Sequence, residues 1–353
     1  MVDNDCRAGV KRMSATEGDA TAVDVLIVGA GPAGLFAAYY AGFRGLSVAV
    51  IDSLPEPGGQ ISAMYPEKQI FDIAGFPAVR GRELVERLLE QAASFDPVYL
   101  LGQRADRLER IPGKNERDSF VVTTSEDIAI QAKSVIITGG IGNFTPRPLS
   151  TAAAFHGAGL AYFVRRLDEY ADRDVVIVGG GDSAFDWARA LDPIARSVTV
   201  VHRRDIFRAH PGTVAAVQAS AVEVITNAQI QHVVGDASIH AVEVVSDDGA
   251  VRSVPCQRII AALGFTANLG PLLQWGIEIR NRRHIVVDST MQTTMPGIFA
   301  AGDINDYPGK VRLIAVGFGE AATAVNNAAH YIDHEQPLFP GHSTDVAPVA
   351  VPV

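Results

Sequence analysis

Cysteine is scarce in this chain, which contains two such residues, Cys6 and Cys256, among 353. Two thiols so far apart in the sequence provide neither a disulfide framework nor a Cys-x-x-Cys metal motif. They also exclude the paired-thiol relay by which many redox enzymes reduce disulfides. We therefore expect a protein of a reducing compartment, the cytoplasm.

Basic residues are also in deficit, since 30 Lys and Arg stand against 40 Asp and Glu, for a formal net charge of −10. General nucleic-acid binding needs a basic face, so we expect no nucleic-acid partner. An uncharged stretch over 25–43 is long enough to suggest a membrane span, but Gly29, Gly31 and Pro32 break the helix that a span requires. A buried strand followed by a buried helix explains this stretch better, and we expect no membrane span.

The first glycine-rich motif, GAGPAG, lies directly behind the apolar run 23–28. A strand, a tight turn and a helix in this order form a cradle for a pyrophosphate. The first two glycines allow close backbone approach, and the helix N-terminus attracts the phosphate charge. The residues predicted to form this first cradle are Gly29, Gly31, Pro32, Ala33 and Gly34.

A second motif of this kind, GGGDSA, follows the apolar run 175–178. One such motif is weak evidence, but two in the right context predict an oxidoreductase that binds two nucleotides. The residues predicted to form this second cradle are Gly179, Gly181, Asp182, Ser183 and Ala184.

The residues that follow the next strand differ between the two cradles. Asp52 ends the run that begins at Leu46, and an acid there accepts hydrogen bonds from ribose hydroxyls and repels a 2′-phosphate. The corresponding count from Gly179 reaches a basic cluster whose guanidinium groups match a 2′-phosphate. We therefore predict an adenine nucleotide without that phosphate at the first cradle and NADP(H) at the second. The basic cluster comprises His202, Arg203, Arg204 and Arg208.

Strand-like and helix-like runs alternate twice along the chain, which predicts an α/β protein. The apolar run 259–264 echoes 135–140, so we predict two related three-layer, Rossmann-like nucleotide-binding domains, the second inserted into the first. The predicted boundaries are a disordered arm at 1–22, a first domain at 23–148 and 285–335, a second domain at 149–284, and a C-terminal extension at 336–353. Strands are predicted at 23–28, 46–51, 98–102, 119–123, 135–138, 174–178, 197–201 and 222–226, and helices at 33–43, 81–94, 183–191, 211–220 and 319–331.

A third signal lies where the chain returns to the first domain. GIFAAGD at 297–303 has the pattern of a buried strand that ends in a small residue and an acid. Asp303 could accept a hydrogen bond from a ribityl hydroxyl, and the start of the following helix could point its positive end at a flavin ring. Together with the first cradle, this pattern predicts FAD in the first domain.

These motifs together resemble those of the low-molecular-weight thioredoxin reductase-like flavoproteins. Thioredoxin reductases of this kind carry Cys-x-x-Cys in the inserted domain, and this chain has no such motif. It therefore resembles most closely the thioredoxin reductase-like ferredoxin–NADP reductases of bacteria, through GGQISAMYPEKQIFDIAGFP at 58–77, GNFTPR at 142–147 and PGHST at 340–344.

The resemblance implies further contacts with FAD and a physiological role. Gln60 would bond the flavin side, Tyr65 and His342 would stack on its two faces, and Thr344 would bond the ring edge. Phe144 would lie near the cofactor, and Ala105 would offer a backbone contact to the adenine end. NADPH would deliver hydride to FAD, and electrons would then pass singly to ferredoxin or flavodoxin. The resemblance also implies a homodimer.

Two other functions remain open from the residues. One is an NADPH-dependent flavin enzyme that acts on a diffusible quinone or disulfide, and the other is a flavin redox sensor without turnover. No catalytic side-chain acid or base is expected, because the flavin supplies the chemistry. No metal is expected either, since no third ligand motif accompanies His330 and His334. An acidic electron carrier would need a local basic patch, for which Arg80, Arg82, Arg87, Arg165 and Arg166 are candidates.

Overall fold

The computed structural model describes residues 11–12, 21–113, 117–342 and 344. The chain forms two compact units. The first comprises Met1–Ser62, Lys68–Asn143 and Ala267–Val353, and the second comprises Phe144–Thr266 together with Ala63–Glu67. Most of the second unit is therefore inserted into the first along the chain, as the sequence predicts.

Six α-helices and 23 strands are numbered here in chain order over the described residues. As far as β12 they are β1 (Lys11–Arg12), β2 (Thr21–Val28), α1 (Pro32–Phe43), β3 (Val48–Asp52), α2 (Gln60–Met64), β4 (Gln69–Ile70), β5 (Val79–Arg80), α3 (Gly81–Ala93), β6 (Val98–Leu101), β7 (Ala105–Ile111), β8 (Ser119–Thr124), β9 (Ala129–Ile137), β10 (Asn143–Pro146), β11 (Leu160–Ala161) and β12 (Asp174–Val178). The remainder are α4 (Asp182–Leu191), β13 (Ser197–Val201), α5 (Pro211–Gln218), β14 (Glu223–Ile225), β15 (Ala228–Gly235), β16 (Ile239–Ser246), β17 (Val251–Pro255), β18 (Arg258–Ala261), β19 (Phe265–Asn268), β20 (Ile279–Arg280), β21 (His284–Val286), β22 (Ile298–Ala300), β23 (Asn305–Asp306) and α6 (Ile314–Ile332). Short 3₁₀ helices cover Ser150–Phe155, Leu167–Tyr170 and Gly270–Gln274.

The first unit is built on one large sheet with the order β1-β6-β3-β2-β9-β8-β7, and β22 also pairs with β9. Pairing is parallel except at β7–β8 and β8–β9. The central strands are continuous apolar runs, and Val25, Leu26 and Ile27 are fully buried. Such strands form where both faces of a parallel sheet are covered. The carboxyl ends of β2, β3, β9 and β22 therefore meet at one edge.

The second unit repeats this plan on a smaller scale. Its five-stranded parallel sheet has the order β11-β18-β12-β13-β14, and β15, β16 and β17 form a separate antiparallel sheet. Helix α4 buries Phe185 and Leu191 against strands β12 and β13. This sheet gives the second cradle the same strand–turn–helix setting as the first.

The structure corrects the predicted return to the first domain at residue 285, which occurs at Ala267. The intervening segment belongs to the first unit because Trp275 is buried there and its Nε1 donates to the Asp106 carbonyl at 3.1 Å. The outward crossing also comes earlier, between Asn143 and Phe144.

The predicted disordered arm is wrong for the few of its residues that the structure describes. Lys11–Arg12 pair in parallel with β6, and β2 begins at Thr21 through backbone pairing with Ile130. A sheet edge offers backbone hydrogen bonds to a chain of any side-chain polarity, so hydropathy did not reveal this pairing. The rest of the arm, and most of the extension beyond His342, lie outside the described residues.

Candidate functional site

The first cradle is held against the strand ends by its backbone. The Gly29 amide donates to the Ile51 carbonyl at 2.8 Å, and the Thr138 hydroxyl donates to the Gly29 carbonyl at 2.7 Å. Gly29 has a φ of +118°, and a Cβ atom there would lie 2.6 Å from the Thr138 carbonyl oxygen. Only glycine fits this turn without strain.

The third small position of the first cradle is also restricted to glycine. A Cβ atom on Gly34 would lie 1.8 Å from the Gly29 carbonyl oxygen. Gly31, by contrast, has open space in front of it, because the nearest atom to its notional Cβ is the Gly59 Cα at 4.0 Å. The turn thus presents bare backbone at the start of α1, where first-turn amides lack intrahelical partners. This arrangement fits a pyrophosphate.

Asp52 ends β3 beside this turn and bonds to its backbone. One carboxylate oxygen accepts the Ala30 amide at 2.6 Å, and the other accepts the Leu54 amide at 2.8 Å. Burial raises the pKa of Asp52, and these two amides oppose the rise. Asp52 therefore shapes the cradle directly, and its oxygens have further lone pairs for the predicted ribose contact.

The turn that carries Asp303 (residues 301–305, the Asp303 turn) lies beside the first cradle. A Cβ atom on Gly302 would lie 3.3 Å from the Ala33 Cβ, and one on Gly317 would lie 3.4 Å from the Gly302 Cα. The starts of α1 and α6 and the end of β22 therefore converge. Helix α6 begins at Ile314, earlier than the predicted residue 319.

The second cradle uses the same backbone device with different side chains. The Gly179 amide donates to the Val201 carbonyl at 3.1 Å, and a Cβ atom on Gly179 would lie 2.5 Å from the Ala262 carbonyl oxygen. Gly181 faces open space, with no atom within 4 Å of its notional Cβ. Asp182 accepts the His210 amide at 2.8 Å, which ties α4 to the following loop. Ser183 is exposed in the first turn of α4, and Ala184 is fully buried.

The basic cluster beyond β13 divides into an inward histidine and outward arginines. A Cβ atom on Gly180 would lie 2.3 Å from the His202 ring, so the imidazole packs over the cradle backbone. Burial, with the neighbouring arginines as a further cause, lowers the pKa of His202 and keeps the ring neutral at neutral pH. Arg203, Arg204 and Arg208 are exposed, and their guanidinium groups form no ion pair with any described residue. An exposed cluster of this kind suits a phosphate.

The remaining predicted contacts lie in several parts of the chain. Gln60 begins α2, and its amide nitrogen would lie 2.7 Å from a Cβ on Gly140, beside the carboxyl end of β9. Ala105 is buried at the start of β7.

Tyr65 and Phe144 belong to the second unit, where Tyr65 packs against the apolar core and the ring of Phe144 meets that of Phe163 edge-on, with 6.2 Å between the ring centroids. His342 and Thr344 are exposed, and the His342 ring lies 5.0 Å from that of Phe339. The flavin contacts of these six residues stay predictions.

Three residues that support the site were not predicted. Thr138 buttresses the first cradle, and its signal was available in TGG at 138–140, directly after a buried strand. Glu320 and Lys310 form a buried ion pair behind the Asp303 turn, with Nζ–Oε1 at 2.5 Å. No local pattern links two charges on either side of a loop, so the sequence carried no signal for this pair.

Two cradles of this form, with an acid at one strand end and exposed arginines at the other, define a protein with two dinucleotide-binding units. A family profile described as pyridine nucleotide-disulphide oxidoreductase matches residues 23–328. The chain belongs to this family. The predicted fold class and the predicted pair of cofactors, FAD with a pyridine nucleotide, agree with this membership.

Individual relatives show which proteins within this family the chain resembles. A ferredoxin–NADP reductase of Frankia alni is 61% identical over 91% of this chain and 98% of its own length. A namesake from Halalkalibacterium halodurans is 46% identical over 92% of this chain and 97% of its own length. Among solved structures, thioredoxin reductase from T. acidophilum matches with a TM-score of 0.69 and 27% identity, over 87% of this chain and 98% of its own. The resemblance stated from the motifs is confirmed.

The cysteine that the structure describes, Cys256, offers no reactive thiol. Cys256 is fully buried, and burial raises the pKa of its thiol to about 12, so it is protonated at neutral pH. Cys6 lies outside the described residues. Within the described ranges no three His, Cys, Asp or Glu side chains converge as metal ligands. Among the helices described, none has the length and apolar character needed to cross a bilayer.

Proposed function

We propose that the chain is an FAD-dependent enzyme that passes electrons between NADPH and a one-electron carrier protein, ferredoxin or flavodoxin. The observation that carries this proposal is the set of relatives named ferredoxin–NADP reductase at 55–61% identity over about nine-tenths of the chain. Geometry supports it, because each cradle offers bare backbone for a pyrophosphate and the second adds three exposed guanidinium groups.

The chain's own residues bind and orient the two nucleotides. The first cradle would hold the FAD pyrophosphate, Asp52 the adenosine ribose, and Asp303 the ribityl chain. The second cradle would hold the NADPH pyrophosphate, while Arg203, Arg204 and Arg208 neutralise the 2′-phosphate. When bound, FAD would supply the chemistry that links a two-electron hydride donor to a one-electron acceptor. No described side chain needs to exchange a proton for this reaction.

Disulfide reduction is less well supported by this chain. A dithiol relay requires two thiols that can approach each other and ionise. Cys256 is buried in an apolar core with residues of β15–β18, and the pKa of its thiol is raised. We therefore propose a carrier protein rather than a disulfide as the electron acceptor.

The predicted basic docking patch is partly neutralised. Arg87 pairs with Glu83 at 3.6 Å, and Arg166 pairs with Asp168 at 2.5 Å, both on the surface. Such exposed pairs are weak and exchange partners readily. All five arginines, Arg80, Arg82, Arg87, Arg165 and Arg166, stay candidates for contact with an acidic carrier. We also propose the homodimer and the cytoplasmic location that the sequence analysis expects, which analytical ultracentrifugation and fractionation would test.

The proposed function is tested by anaerobic stopped-flow spectroscopy. The purified flavoprotein is mixed with NADPH, and oxidised ferredoxin or flavodoxin is then added while both spectra are followed. Fast flavin bleaching followed by reduction of the carrier in one-electron steps would support the proposal. Fast bleaching with no transfer to either carrier would indicate an enzyme acting on a small molecule, such as a quinone. A flavin that NADPH does not bleach would indicate a sensor.

A further inference from the structure

A buried ion pair lies directly behind the Asp303 turn. The side chains of Lys310 and Glu320 are 2% and 4% exposed, and the Nζ atom contacts both carboxylate oxygens at 2.5 and 2.7 Å. Burying two charges costs free energy unless further hydrogen bonds satisfy them. Aliphatic residues at both positions would give apolar packing without that cost. The presence of two charges therefore points to a specific role for the pair.

Both charged groups of this pair form hydrogen bonds to the turn. The Glu320 carboxylate accepts the Gly302 amide at 2.8 Å and the Asn305 side-chain amide at 3.1 Å. The third donor of Lys310 reaches the Gly302 carbonyl at 2.8 Å. The amide and carbonyl of Gly302, the residue before Asp303, are therefore both held by charged groups. Charge-assisted hydrogen bonds of this kind are among the strongest in proteins.

Two more residues complete the cluster. The Tyr307 hydroxyl donates to Glu320 at 2.7 Å, and burial, reinforced by that carboxylate, raises the pKa of Tyr307 to about 12, so it remains a donor. Asn305 also donates to the Ala300 carbonyl at 3.0 Å, which spans the turn. Lys310 thus uses three donors and Glu320 accepts five hydrogen bonds, which leaves the turn little freedom.

We propose that the Glu320–Lys310 pair is a positioning device for FAD: it fixes the backbone of the Asp303 turn and the start of α6 against α1 so that Asp303 and the helix N-terminus meet the flavin. Gly302, Ala33 and Gly317 are packed tightly together. A Cβ atom on Gly302 would lie 3.3 Å from the Ala33 Cβ, and one on Gly317 would lie 3.4 Å from the Gly302 Cα and 3.6 Å from the Ala33 Cβ. The inference rests on the proposed binding of FAD in the first unit. Neither residue is catalytic, because both act through the turn.

The test compares single and double variants of the holoenzyme. Glu320→Gln leaves a buried lysine without its counter-ion and weakens the hold on Gly302, so FAD release after dilution, followed by flavin fluorescence, should accelerate at least about tenfold. The visible circular dichroism of the bound flavin should change as well, since it reports how the ring is held. Tyr307→Phe removes one hydrogen bond and should give a smaller change of the same sign, and it serves if Glu320→Gln does not fold.

The double variant separates positioning from general stability. Combining Glu320→Gln with Lys310→Met removes both charges, so thermal stability should partly return. FAD release should stay fast, because one amide oxygen cannot replace the carboxylate that accepts from Gly302, Asn305 and Tyr307, and because the Gly302 carbonyl loses the Lys310 donor. Recovery of wild-type FAD release together with stability would overturn the proposal and reduce the pair to a structural contact.

A matched control lies in the second unit. Arg196→Met removes the partner of Asp174, whose side chain is 12% exposed, and should lower thermal stability without altering FAD release or flavin dichroism. Equal effects of Arg196→Met and Glu320→Gln on FAD release would also contradict the proposal. A wild-type protein that binds no FAD would refute the proposed function itself. A wild-type protein that holds FAD while its variants release it at the wild-type rate would refute this inference alone.

Discussion

The two cradles have the same backbone geometry at their first two glycines. They differ in the third small residue and in the side chains that follow the neighbouring strand. In both, the amide of the first glycine bonds to the end of the neighbouring strand, at 2.8 Å for Gly29 and 3.1 Å for Gly179. In both, the glycine two positions on faces open space. The third small residue is Gly34 in the first cradle and fully buried Ala184 in the second. The backbone geometry of the turn is therefore shared, and we propose that the surrounding side chains determine which nucleotide each cradle binds.

The likeness extends to the opposite edge of each sheet. Asp24, within β2, accepts the Ser47 hydroxyl at 2.7 Å, and Asp174, at the start of β12, accepts the Ser197 hydroxyl at the same distance. The two units thus repeat one plan at both ends of their strands. They differ at the positions proposed to set ligand specificity, namely Asp52 in one unit and the exposed arginines in the other.

The largest effect is expected from exchanging the third small residues. Gly34→Ala would push a methyl group into the Gly29 carbonyl, so we expect a loss of at least about 3 kcal/mol in the free energy of unfolding and no retained FAD. The reciprocal control, Ala184→Gly, should cost only about 0.5–1 kcal/mol. Thermal unfolding and flavin content measure both. A Gly34→Ala protein that purifies yellow with a wild-type Tm would break the comparison.

The next effect concerns nucleotide choice at the second cradle. Arg203→Gln with Arg204→Gln removes two charged donors, so the KM for NADPH should rise about 10- to 100-fold with a small change in kcat. The KM for NADH should be nearly unchanged, because NADH lacks the 2′-phosphate. Arg252→Gln, an exposed arginine paired with Glu223, is the control and should alter neither constant. Equal losses with both nucleotides would contradict the assigned role.

A moderate effect is expected at the acid of the first cradle. Asp52→Asn leaves one acceptor oxygen for two backbone amides, so either Ala30 or Leu54 loses its partner. We expect about 1–3 kcal/mol of destabilisation and faster release of FAD. Asp127→Asn, at an exposed turn, should change neither quantity. Urea unfolding and flavin fluorescence measure the two, and an Asp52→Asn protein as stable as the control would show that the carboxylate is not needed to shape the turn.

The smallest effect is a difference in acid stability between the two units. Hydrogen bonds from Arg196, then Ser197 and Gln257, lower the pKa of Asp174 from 3.8 to about 2. Because the folded-state pKa is depressed, the stabilisation is present above pH 4 and is lost as the pH falls toward 2. The stability difference between wild type and Asp174→Asn should therefore shrink over that interval. At Asp24, burial opposes the hydrogen bonds from Lys133 and Ser47 that lower its pKa, so Asp24→Asn should show a weaker pH dependence in urea titrations.

Much of the fold could be predicted because its central strands are continuous apolar runs followed by glycine. The strand at 174–178 and the strand at 197–201 were predicted to the residue, and helix α1 to within one residue. Strand β7 was missed because Ala105–Ile111 is mostly charged and exposed, so its pairing with β8 depends on backbone bonds. Helix α6 begins at Ile314, before the predicted residue, and Gly317 in its first turns packs closely on Gly302.

The glycines and charged residues of the candidate site could be predicted from the sequence. The residues that hold its turns in place could not. The cradles carry local motifs, whereas the Glu320–Lys310 pair depends on a loop that folds two distant charges together. The return to the first unit at Ala267 was missed for a similar reason. Trp275 binds the Asp106 carbonyl across a wide sequence separation, and nothing near Trp275 in the sequence indicates that contact.

The central claim is that one backbone device holds two different nucleotides, and a crystal structure of the purified flavoprotein with NADP⁺ tests it most directly. We expect the FAD pyrophosphate at Gly29–Gly34, the NADP⁺ pyrophosphate at Gly179–Ala184, and the 2′-phosphate within hydrogen-bond distance of Arg203, Arg204 or Arg208. FAD at the second cradle, or a 2′-phosphate away from these arginines, would contradict it.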